Sequence, residues 1–170
     1  MENKTNFRDK TPTDRDIKST VETNGNITDV LNTLVQINND RIEGYEHAAN
    51  ETDVSELKGL FYGMAAKSRV LNSQLATEVR KYGGQPTEST TTLGKAFRVW
   101  MDFKATLSGK DRKAILASCE YGEDAAQDTY ADAIKNDREL LPAYILKFIS
   151  EQKAQLREDY NHVKSLRNLE

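Results

Sequence analysis

The segment Ala114–Ala133, AILASCEYGEDAAQDTYADA, decides how this chain is read. Leu116, Cys119, Ala126, Tyr130 and Ala133 recur three and four residues apart, the spacing of one face of an α-helix. Glu123 falls on the same stripe, near the middle of the segment. A carboxylate on a buried face costs free energy unless it is paired or coordinates something. Its partner has to come from elsewhere in the chain.

The composition sets the frame for that partner. A chain of 170 residues, 37% hydrophobic and 30% charged, is one domain's worth and can bury a real core. Three prolines (Pro12, Pro86, Pro142) and nine glycines leave room for long helices. No apolar run approaches the roughly 20 residues that span a bilayer, and the polar N-terminus lacks a signal-peptide core. Cys119 is the single cysteine, so no internal disulfide can form. These features predict a cytoplasmic protein, with Cys119 as a small core filler. A net charge of −3 argues against nucleic acid as the main partner.

Four long helices are predicted around that stretch. Residues 1–25 are polar and nearly charge-balanced, which predicts a disordered tail ahead of a bundle over 26–170. The first helix is expected to start at Thr28 as N-cap and to run to about Asn50, its stripe carrying Leu31, Leu34, Arg41, Tyr45 and Ala48. Asp53 and Glu56 have capping-box spacing before the second, which follows Leu57, Phe61, Met64, Ser68, Leu71 and Leu75 and stops at Gly83-Gly84. The third runs from about Asp111 to Asn136, and the fourth from about Pro142 nearly to the C-terminus. Between the second and third lies a long connection, with a short amphipathic helix over Leu93–Leu107 built on Phe97, Trp100, Met101 and Phe103. Short, long, short is the connectivity of a ferritin-like four-helix bundle with one crossover, so the fold class is all-α.

The polar residues on the four apolar stripes are Arg41, Ser68, Glu123 and Gln152. All lie close to their helix midpoints, which predicts one central polar layer. Two chemistries suit such a layer. Arg41 and Glu123 can form a buried ion pair whose hydrogen bonds Ser68 and Gln152 complete, fixing register rather than doing chemistry. Alternatively the layer is a carboxylate site for iron or manganese, with Glu43, Glu120, Glu123 and the Asp159-x-x-His162 pair as ligands. Against the metal, the second helix offers only Ser68-x-x-Leu71 where a ligand pair is needed. No triad spacing joins His47 or His162 to a nucleophile, and no glycine-rich phosphate loop opens a helix.

The segments NNDRIEGYEHAA, ATEVRKYGGQP, FRVWMDFKATLSGKDRKAIL and CEYGEDAAQDTYADAI resemble a bacterial family of ferritin-like four-helix-bundle proteins known as a domain of unknown function. The likeness covers residues from about 27 to 168. It implies the ferritin-like fold and a stress-response setting, and no established activity. Glu43, Glu120 and Glu123 match acidic positions usual in that family, while Tyr160 stands where the family often has a histidine. The expectation is therefore a non-catalytic, self-associating bundle (a homodimer or higher), with metal-dependent oxidase or peroxide-scavenging chemistry as the alternative. A partner-binding module using the Trp100 helix or the N-terminal tail is the third reading.

Overall fold

The computed structural model describes residues 13–91 and 112–169. Four helices account for nearly all of them: α1 (Asp14–Glu51), α2 (Ser55–Lys81), α3 (Arg112–Asn136) and α4 (Ala143–Asn168). The Trp100 segment and residues 1–12 lie outside the described residues.

Side-chain pairings give the helix directions. Asn39 meets Asn72 and Asn50 meets Tyr62, so α1 and α2 are antiparallel. Tyr130 meets Gln152 and Glu120 meets Tyr160, so α3 and α4 are antiparallel too. Asn38 meets Tyr130 while Tyr45 meets Glu123, which sets α3 antiparallel to α1 and therefore parallel to α2. Two consecutive helices that run the same way need a connection as long as the bundle itself. That is why residues 82–111 intervene.

Gly83 starts the connection at a φ of +80°, which a residue without a Cβ adopts at little cost. Gly84 has a steric reason as well: a Cβ there would lie 2.6 Å from Thr28 Cγ2. Past these glycines the chain does not wander as a free loop. Residues 85–91 run along α1 in its own direction, from Asn32 to Asp40.

Two helix starts differ from the sequence reading. α1 begins at Asp14, not Thr28, because Thr13 and Asp16 form a reciprocal capping box that closes the first turn without any apolar burial. Residues 14–25 are thus helix and not tail, and Ile17 and Val21 stand exposed on this projecting end. Thr28 sits buried inside α1, its hydroxyl donating to Gly25 O at 2.7 Å. At α2 the Asp53/Glu56 capping box does not form: Val54 is the N-cap, with no side-chain cap. Glu56 is held instead by Arg112 across the bundle, at 2.9 and 3.1 Å.

The core falls into two apolar clusters, one at each end. Leu31, Leu34, Leu71, Leu75, Ile145 and Ile149 belong to the first. Leu57, Phe61, Met64, Leu116, Cys119 and Val163 belong to the second. Each fully buried side chain of this size contributes about 1.5–3 kcal/mol. Between the clusters the core is polar.

Candidate functional site

Arg41, Ser68, Glu123 and Gln152 are all buried, at 2% exposure or less. The Arg41 guanidinium donates from NH2 to Glu123 Oε1 at 2.7 Å and to Asp159 Oδ2 at 3.5 Å. Tyr45 donates its phenol to the same Glu123 oxygen at 2.5 Å while its ring stacks on Phe61. Lys67 pairs with the other oxygen of Asp159, its own side chain reaching the surface. Two cations thus meet two carboxylates in one layer, a balance that offsets the desolvation of each. Burial works against the Arg41 charge, but Glu123, Tyr45 and Asp159 outweigh it and hold the guanidinium protonated. Burial, with Glu123 beside it, pushes the Tyr45 phenol well above its ordinary range, so Tyr45 stays a donor.

Ser68 and Gln152 do not complete that pair. Ser68 turns back to Met64 O at 3.1 Å within its own helix. Gln152 belongs to a second network two turns away along α3 and α4: Asn38 donates to Tyr130 OH at 2.8 Å, and Tyr130 donates to Gln152 Oε1 at 2.8 Å. The Gln152 amide then donates to Leu71 O and Gln74 Oε1. Asp159, which the sequence offers as a metal ligand, is what Arg41 reaches. Lys67, Tyr45, Asn38 and Tyr130 were missed. In the sequence Tyr45 and Tyr130 read as apolar stripe residues, and only a neighbouring helix turns their hydroxyls into network members.

The five residues suggested as metal ligands are scattered by the fold. Glu43 and His162 are exposed, on α1 and α4. Glu120 takes Arg167 at 2.5 Å and Tyr160 OH at 3.3 Å. Glu123 and Asp159 do share the central layer, each held by a protein cation. Among the described residues no three His, Cys, Asp or Glu side chains converge as a metal site would need. These residues do not fit a di-metal carboxylate centre, since guanidinium and ammonium groups stand against the carboxylates that would have to bind the ions. Cys119 is buried next to Glu123, and burial lifts its thiol well above the ordinary value.

A second arrangement had no counterpart in the sequence reading. Asn32, Gln36, Asn39 and Asp40 form a polar column on α1, and the extended segment 85–91 lies along it. Asn32 donates to Gln85 O at 3.1 Å and accepts from Thr87 N at 2.9 Å. Asn39 donates to Thr87 O at 3.3 Å and Ser89 O at 2.9 Å, and Gln36 donates to Ser89 Oγ at 3.0 Å. Asp40 accepts from both Thr91 N, at 2.9 Å, and the Thr91 hydroxyl. Uncharged polar residues at i, i+4 and i+7 on one helix were the signal that could have revealed it.

The fold and layer define an all-α bundle of four helices, the middle two parallel, with an ion-paired centre. Residues 26–136 match the family described as a domain of unknown function (DUF2383), and the chain belongs to that family. The match opens beside Ile27, the first buried residue of α1, and closes at the end of α3. No curated protein matches the chain. No helix among the described residues is long and apolar enough to cross a membrane.

Proposed function

We propose that this protein is a non-catalytic, ferritin-like bundle acting as a structural or interaction protein, its charged layer fixing the order and register of the helices. The observation that carries this reading is Arg41, lodged between Glu123 and Asp159 at the centre of the core. A cation of the protein already neutralises the carboxylates that an iron or manganese ion would require. One long crossover between parallel helices supports the ferritin-like assignment. The bacterial, stress-related and cytoplasmic setting rests on the family resemblance and on a lone, buried cysteine.

The interaction half of the proposal draws on the projecting end of α1. Ile17 and Val21, one turn apart, are 52% and 65% exposed there. A helix end with an apolar pair in water favours association, and self-association is the form we assign to it. Sedimentation equilibrium of the wild type beside the double variant Ile17→Glu/Val21→Glu tests this. A dimer or higher species in the wild type alone is expected, and a monomeric wild type removes self-association.

Elemental analysis tests the central claim. Protein expressed with iron and manganese supplied, and purified without chelator or histidine tag, is expected to carry far less than one equivalent of either. One or two ions per chain would overturn the non-catalytic reading in favour of oxidase or peroxide-scavenging chemistry.

A further inference from the structure

We propose that residues 85–91 form a releasable strap over α1 and that Asp40 is its latch. The strap's hold is polar along its whole length. Its contacts to Asn32, Gln36, Asn39 and Asp40 are hydrogen bonds, mostly to its main chain. None of its residues is buried, and Pro86 is its only apolar side chain. The segments on either side of α1 differ in kind, because α2 and α3 pack against it through leucines, isoleucines and aromatic rings. A segment held by solvent-accessible hydrogen bonds opens at far lower free energy than an apolar core. Gly83, at a φ of +80°, supplies the pivot at the near end.

Asp40 closes the far end. It is 6% exposed and receives both donors of Thr91, so strap closure shields its carboxylate from water. Glu43, on the same helix, is the charged group that faces it. From α2 the Asn72 amide reaches Asn39, the chain neighbour of Asp40, at 2.5 Å. Among the described residues no cation pairs with it. The balance of burial and Glu43 against the two Thr91 bonds leaves its pKa above the ordinary 3.8. Opening admits water and returns the group toward that ordinary value. Between the ordinary value and the raised one the closed strap binds more proton than the open strap, so closure strengthens as the pH falls through the raised value toward 3.8 and no longer changes with pH once both forms are ionised.

Native-state hydrogen exchange on the whole chain tests the device, with residues 85–91 compared with the buried amides of α1 to α4. Asp40→Ala is expected to raise strap opening about tenfold while core protection stays unchanged. Thr91→Val, which removes only the hydroxyl donor, is expected to give a smaller rise and covers the case in which Asp40→Ala fails to fold. In the wild type the strap's protection, corrected for intrinsic exchange, is expected to be greater at about pH 4.5 than at about pH 7.5. Asp40→Asn keeps an acceptor for Thr91 N and is expected to hold the strap closed with no pH dependence. Strap and core losing protection together, or a wild-type strap indifferent to pH, would overturn the proposal.

Discussion

Arg41 NH2 lies 2.7 Å from Glu123 Oε1 in a part of the core that water does not reach. Removing one member of such a pair leaves the other charge buried, while replacing both with apolar groups removes the desolvation cost as well. Arg41→Met is therefore expected to lower unfolding stability by about 3–5 kcal/mol. The double variant Arg41→Met/Glu123→Leu is expected to recover part of that loss, because Asp159 keeps Lys67 while the Tyr45 phenol gives up its bond to Glu123. Urea denaturation of both variants and of Glu123→Leu alone measures the difference, and a double-variant loss equal to the sum of the two single losses would show that the pair is not coupled.

Stability should fall in alkali. Burial raises the phenols of Tyr45 and Tyr130 above their ordinary value of 10.0. A tyrosine whose folded-state value is raised contributes stability that is complete below about pH 10 and is lost as the pH climbs further, because the unfolded chain gives up its proton first. Denaturation midpoints between about pH 8 and pH 11 are expected to drop most above pH 10. Tyr130→Phe should flatten that slope while costing stability near neutrality, since Asn38 loses its acceptor.

The α2 terminus should resist even a methyl group. In Gly84→Ala the new Cβ would stand 2.6 Å from Thr28 Cγ2 and 3.1 Å from Val79 Cγ1. A cost of about 1–3 kcal/mol is expected. Adding Thr28→Ser removes the closest of these atoms and is expected to restore part of the loss in thermal unfolding. Gly83→Ala meets no neighbour, so its cost is conformational, about 1 kcal/mol.

Cys119 should be inert in the folded protein. It is fully buried in the Phe61–Leu116 cluster, and burial keeps its thiol protonated. Alkylation by iodoacetamide at neutral pH is expected to proceed only as fast as the bundle opens. Labelling at the rate of a free thiol would show that this end of the core is not closed.

Much of the fold was legible because it depends on periodicity within single helices. The stripes of Leu31, Leu57 and Leu116 are all buried where the three-four spacing puts them. The α1 start was misjudged because a capping box at Thr13 extends a helix beyond any burial. The site was legible only in part. Arg41 and Glu123 announced themselves as charges on apolar stripes, and Asp159 stands three residues after Leu156 and four before Val163 on the α4 stripe, but Lys67 joins them only through the rotation of α2 about its axis. No spacing within one helix encodes that rotation. The Asn32–Asp40 column was missed because polar residues on a helix ordinarily face water, and nothing local says that a returning segment will cover them.

The charged layer also divides the chain into two unlike halves. Both cations, Arg41 and Lys67, come from the α1–α2 hairpin, and both anions, Glu123 and Asp159, come from α3–α4. A hairpin paired with a second copy of itself would set like charges against each other, whereas in this chain each hairpin's charges are matched by the other's. Cut within the connection, the two fragments would each need the other and no second copy of themselves. Charge would then sort the correct pairing before the leucines and isoleucines on either side sealed it.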